Sequence, residues 1–137
     1  MMCLDTNVVI AAINGRIPAV REKLNAHFQR RLPVALPIIA LYELLYGCAR
    51  STVRGRSEAM LKEFLNHGIT VLPFEADDAQ HAGDIRADLE KIGQPIGQYD
   101  YLIAAQARSR GATLVTANTR EFFRVPGLNV VDWSEKT

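Results

Sequence analysis

The chain has 137 residues and 15.2 kDa, with 16 Lys and Arg against 15 Asp and Glu and 48% hydrophobic residues. Its formal charge of +1 excludes both an intrinsically disordered chain and a nucleic-acid binder that works through bulk basic charge, so any polyanion must be held locally. The length predicts one domain over residues 1–137 with one packed core.

In chain order, Met2 to Leu4 is an apolar run that stops at Asp5-Thr6-Asn7, and Val8 to Ile13 reads as a buried helix ending near Asn14-Gly15. Pro18 suits the first turn of a second helix whose apolar face is Val20, Leu24 and Phe28. Val34 to Leu36 reads as a strand. Pro37 then opens a helix that carries Ile38, Leu41, Leu44 and Leu45 inward, and another helix is expected over about Ser57 to Asn66. After a strand at Ile69 to Leu72, the positions Ala79, Ala82, Ile85, Leu89 and Ile92 predict a helix with an acidic outer face of Asp77, Asp78, Asp84 and Asp88. Tyr99 to Arg110 reads as a buried helix, and Thr113 to Val115 and Asn129 to Val131 as the last strands. Five short strands alternating with helices predict an α/β fold with a central parallel sheet covered on both faces.

Charge is uneven along the chain. Residues 1–60 carry 8 basic and 4 acidic groups, and residues 61–137 carry 8 and 11. Cys3 and Cys48 stand in no Cys-x-x-Cys pair, which predicts a reducing compartment. No secretory signal is expected, and the apolar stretch from Leu32 to Ala49 is interrupted by Pro33, Pro37, Glu43 and Gly47, which predicts a core segment rather than a membrane span.

Parallel sheets bind ligands beyond the C-terminal ends of their strands, so the polar residues just after strands carry the functional information. Asp5 comes directly after the first strand, where it can cap the next helix or face the crevice. Asp100 heads an apolar helix and admits the same two readings. Glu43 lies inside the apolar run PIIALYELLYG, where an ionised carboxylate needs a cation or a partner such as Arg50, or must turn outward. After the fourth strand come Thr116, Asn118, Thr119 and Glu121. Asn118 and Glu121 have the spacing of a capping box, and can equally face the crevice.

Three carboxylates brought over one set of strand ends repel one another unless a cation neutralises them. Oxygen ligands without Cys or His favour Mg²⁺ or Mn²⁺ over zinc. Such a site suits phosphodiester hydrolysis, in which the metal activates water and stabilises charge on the phosphate.

The motifs LDTN, YELLYG, IGxxDxLIAAxA and LVTxNTREFxRVPGLxVxDW, in this order from Cys3 to Trp133, resemble the PIN-domain ribonuclease toxins of bacterial VapBC toxin–antitoxin systems. The resemblance implies an α/β/α sandwich around a parallel sheet and a Mg²⁺-dependent cytoplasmic endoribonuclease. Asp5, Glu43 and Asp100 occupy the family's acidic positions as metal ligands, with Mn²⁺ as a substitute ion. Where many PIN domains carry a fourth acid, this chain has Asn118 with Glu121 one turn on, and Thr6 and Thr116 are supporting hydroxyls. The resemblance further implies an RNA substrate, initiator tRNA being common among relatives with the NTREF-type ending, a VapB-type antitoxin, and a homodimer whose contact surface is expected on the first two or three helices. Arg16, Arg21, Arg30, Arg31, Arg50, Arg54 and Arg56 admit two readings, as contacts to RNA phosphates or, for most of them, as solvated charges on helix faces.

Two rival functions remain open at this point. One is a Mg²⁺-dependent phosphohydrolase with Asp5 as nucleophile, which would want a second acid where Asn7 stands and a lysine near the later strands. The other is a degenerate PIN domain that only binds an antitoxin. His27, His67 and His81 are not spaced as metal ligands and are expected at the surface or at helix ends. Trp133 is expected to anchor the last segment, and Tyr99 and Tyr101, which flank Asp100, either pack or contact RNA.

Overall fold

The computed structural model describes residues 1–134; the end of the expected domain, 135–137, lies outside them. The elements are β1 (Met2–Leu4), α1 (Thr6–Asn14), α2 (Pro18–Gln29), β2 (Val34–Pro37), α3 (Ile38–Arg50), α4 (Arg54–Leu65), β3 (Thr70–Leu72), α5 (Ala76–Lys91), α6 (Gln98–Arg108), β4 (Thr113–Val115), α7 (Thr119–Phe122) and β5 (Asn129–Val131). The strands form one sheet in the order β3-β2-β1-β4-β5, and every pairing is parallel. Right-handed crossovers running outward from β1 to β3 put α1 to α4 on one face; the return to β4 and β5 puts α5 to α7 on the other. The expected α/β/α sandwich with five short strands is what forms.

The core sits where the three central strands are covered on both faces. Cys3, Leu4, Ala35, Leu36, Leu114 and Val115 are fully buried, joined by Val9 from α1, Ala40 from α3, Ile85 and Leu89 from α5, Ile103 to Ala105 from α6 and Phe122 from α7. Both cysteines are free and buried, and burial pushes the Cys3 thiol up to about 11. Trp133 is buried as expected, its ring 4.9 Å from that of His27. No helix among the described residues is long and apolar enough to cross a membrane.

Several expected placements need correction. Asp78 does not belong to an acidic outer face: it is buried, whereas Asp77, Asp84 and Asp88 are exposed. Its carboxylate accepts from the Glu75 backbone N–H at 2.8 Å, from the Ser109 hydroxyl and from Arg110 Nη1 at 2.7 Å, so it closes a capping box and ties α5 to the end of α6. Ala79 and Ile92 are exposed instead of core, because only Ala82, Ile85 and Leu89 face the sheet. Leu45 is also exposed, at 50%: with Tyr42 and Tyr46 it lies on the face of α3 opposite Ala40, Leu44 and Cys48. Pro37 opens α3 as expected, as its N-cap, while also ending β2, and α4 begins three residues earlier than expected, at Arg54.

Candidate active site

The sheet order reverses between β1 and β4, and the crevice there is lined by the residues just beyond the strand ends. Register fixes the neighbours: Leu4 is paired with Val115, and the Asp5 N–H donates to the Val115 carbonyl at 3.0 Å, so Asp5 and Thr116 emerge side by side. Asp5 is 5% exposed and plays both roles open to it. Its Oδ1 accepts from the Thr6 backbone N–H at 2.8 Å as the N-cap of α1, and its Oδ2 accepts from the Thr116 hydroxyl at 2.8 Å. Thr116 is fully buried, and its oxygen accepts the Asn118 N–H at 3.0 Å, which leaves its single proton for Asp5.

Glu43 is half-buried and is joined to this pair through Thr6, whose hydroxyl donates to its Oε1 at 2.7 Å. It has not paired with Arg50, whose guanidinium lies 5.4 Å from the centre of the Tyr46 ring. Thr6 therefore holds two carboxylates at once, Asp5 through its backbone and Glu43 through its side chain. Asp100 stands in the first turn of α6, behind the N-cap Gly97 rather than as the cap itself. Its carboxylate makes no hydrogen bond among the described residues.

Of the two readings open for Asn118 and Glu121, the capping box does not form. Asn118 is the N-cap of α7 without a side-chain cap bond, and its Nδ2 instead donates to Glu121 Oε2 at 3.1 Å. That contact turns Glu121 toward the crevice, and the electrostatics register it. Burial pushes the Asp100 carboxyl up to about 7, reinforced by the negative charges of Asp5, Glu121 and Glu43. Asp5 is likewise raised, by burial against the opposing bonds from Thr116 and Thr6 and with a further push from Glu43. All four carboxylates thus share one electrostatic neighbourhood over the strand ends. Among the described residues, no three Asp, Glu, His or Cys side chains converge closely enough to enclose an ion by themselves.

A family model described as the PIN domain matches residues 2–128. The chain belongs to the PIN domain family. The tRNA(fMet)-specific endonuclease VapC of Shigella flexneri is 42% identical to it over 131 residues, covering 96% of each chain. A protein of the same name from Salmonella typhimurium strain LT2 is 39% identical over 130 residues, covering 95% of this chain and 96% of its own. The structure of VapBC2 from Rickettsia felis bound to a promoter DNA fragment matches with a TM-score of 0.90 at 33% identity, over 96% of this chain and 98% of that one. Likeness of this order over nearly the full length places this PIN domain among the VapC ribonucleases.

The structure also gathers residues that the sequence pattern alone does not single out. Gln106 is fully buried; its Nε2 donates to the Leu72 and Pro73 carbonyls at 2.9 and 3.1 Å, and its Oε1 accepts the Ile39 N–H at 3.4 Å. It ties α6, which carries Asp100, to the start of α3, which carries Glu43. The one signal for it was a lone amide inside the apolar run LIAAQA. Tyr101 packs inward with its hydroxyl accepting the Ile96 N–H at 3.1 Å, while Tyr99 is exposed, with its ring 5.4 Å from that of Tyr42. The histidines stay outside the site: His27 contacts a backbone carbonyl of its own helix α2, His67, just past the end of α4, contacts the Glu63 carbonyl of that helix, and His81 accepts from Arg108.

Proposed function

We propose that this PIN domain is a Mg²⁺-dependent endoribonuclease that hydrolyses a phosphodiester bond of a structured RNA, a tRNA foremost, and acts as the toxin of a cytoplasmic toxin–antitoxin pair. The observation that carries the reading is the gathering of Asp5, Glu43, Asp100 and Glu121 at the point where strand order reverses, with Asp100 pushed up to about 7. Burial first, and then repulsion among the carboxylates, disfavour the ionised form in a bare protein, and a divalent cation offsets both. The donor set is all carboxylate and hydroxyl, which suits a hard ion.

Asp5, Asp100 and Glu43 would hold the ion, directly or through water, and Mn²⁺ would substitute. Mg²⁺ keeps several waters and takes one or two carboxylates, so the site does not need three carboxylates in direct contact with it. When bound, Mg²⁺ supplies the Lewis acid that activates water and neutralises charge developing on the phosphate. The chain's own residues prepare for this. Thr116 commits its proton to Asp5 and keeps that carboxylate oriented and ionisable. Thr6 fixes Asp5 and Glu43 relative to each other. Asn118 holds Glu121 at the rim, where it orients water or adds a second-sphere contact.

The tRNA assignment is supported by the name of the Shigella relative, and the antitoxin by the pairing of toxin with antitoxin in the Rickettsia complex. A VapB-type chain and a homodimer are the expected assembly. Cleavage of end-labelled tRNA tests the chemistry: with Mg²⁺, the products carry 5′-phosphate and 3′-hydroxyl ends, and EDTA stops the reaction. Products with 2′,3′-cyclic phosphate ends contradict it. Metal binding with no cleavage of any RNA would instead make this an antitoxin-binding module.

A further inference from the structure

We infer that Gly97 is a positioning residue for the metal site: its missing side chain is what lets the Asp100 carboxylate lie back against the start of α6, where it faces Asp5. The inference rests on the metal reading of the site proposed for this domain. A Cβ placed on Gly97 would stand 2.8 Å from Asp100 Oδ2 and 3.3 Å from its carboxyl carbon. Contacts that short are not tolerated, and the backbone is not the part that moves. Gly97 has φ −57° and ψ 146°, a region open to every L-residue, so the glycine is not required by its own conformation. What gives way is the end of a flexible aspartate side chain, which rotates out of the crevice.

This separates Gly97 from the chain's other glycines. Gly15, Gly68, Gly93, Gly111 and Gly127 have positive φ and serve the backbone, while Gly47, Gly55 and Gly83 have open space where a Cβ would go. Gly97 alone among them combines an ordinary φ with a Cβ position taken by a candidate ligand. Helix capping does not explain it either, since a serine at an N-cap satisfies orphan N–H groups at least as well as glycine. The helix would accept serine; the Asp100 carboxylate would not.

Gly97→Ala and Gly97→Ser test this as a pair. Each is purified at full length, its metal-free thermal unfolding is measured, Mn²⁺ is titrated in, and the Asp100 carboxyl carbon is followed by NMR. Serine is expected to leave the metal-free Tm unchanged or higher and alanine to lower it only slightly. Both are expected to weaken Mn²⁺ binding by about 10-fold or more, the scale of losing a residue that orients a ligand. Both should also displace the Asp100 carboxyl resonance before any metal is added. Wild-type Mn²⁺ affinity, or an Asp100 resonance at its wild-type position, in both variants overturns the inference. If the wild-type protein binds no Mn²⁺, the metal reading itself falls and the purpose assigned to Gly97 falls with it; the displaced resonance then records only the steric contact.

Discussion

Two helices of this molecule carry an aspartate at the same point, and the two residues have opposite fates. Asp78 is the third residue of α5 and Asp100 the third of α6, both in a first turn where the helix dipole favours an anion. Burial by itself would raise Asp78, but the Ser109 hydroxyl, the Glu75 N–H and Arg110 together outweigh it and hold the carboxyl below the usual carboxylate range. Asp100 has the same dipole and no such donors; burial, with the charges of Asp5, Glu121 and Glu43 added to it, goes unopposed and pushes it up to about 7. Helix position therefore does not decide what a carboxylate is for. The partners that the tertiary fold supplies do, and a carboxylate supplied only with other carboxylates is one awaiting a cation.

The comparison can be broken at either end. The largest effect on stability is expected at the satisfied end: Arg110→Ala leaves Asp78 buried without its counterion and should cost about 3–5 kcal/mol in urea unfolding. RNA cleavage per folded molecule should survive it. At the unsatisfied end the largest effect is on catalysis. Asp100→Asn is expected to slow RNA cleavage by about 1,000-fold or more, equivalent to about 4 kcal/mol of barrier, while the fold stays intact by circular dichroism.

The pH dependences of the two sites run in opposite directions. The Asp78 pKa is lower in the folded protein than in the unfolded chain. Its contribution is therefore present above the unfolded value, near 4, and is lost as pH falls through the folded one. The Asp100 pKa is higher in the fold, so the metal-free protein loses stability as pH rises from about 4 to about 7 and regains none above that. Metal-free Asp100→Asn should accordingly melt higher than wild type at pH 8, with the difference shrinking toward pH 4 in thermal scans. A smaller effect is expected at Thr116→Val, which removes a donor that lowers the Asp5 pKa. The acid limb of the cleavage pH profile should move to higher pH, at a stability cost of about 1–3 kcal/mol for the unpaired groups left behind.

The alternation of apolar strands with helical periods made the parallel sheet legible, and the rule that ligands sit past strand ends singled out Asp5. Glu43 stood out because an acid in PIIALYELLYG needs a cation, a partner such as Arg50 or an outward turn. Asp78 was not legible. It shares a helix with Asp77, Asp84 and Asp88, and its partner Arg110 lies 32 residues away in sequence, so nothing local separates the buried acid from the solvated ones. Leu45 failed for a related reason: α3 is apolar on more than one face, and only packing shows that Tyr42, Leu45 and Tyr46 are the faces left outside. The role of Glu121 was equally hidden, because a capping-box spacing fits both a helix end and a site rim, and only the Asn118 side chain shows which way it turned.

The central claim is that Asp100 is held in an unfavourable charged environment that a divalent cation relieves. Thermal unfolding at pH 8, with and without Mg²⁺, on wild type and Asp100→Asn tests it most directly. The account predicts that Mg²⁺ raises the Tm of wild type and has little effect on Asp100→Asn, which already melts higher without it. Equal Mg²⁺ responses in the two proteins, or none in wild type, would contradict it.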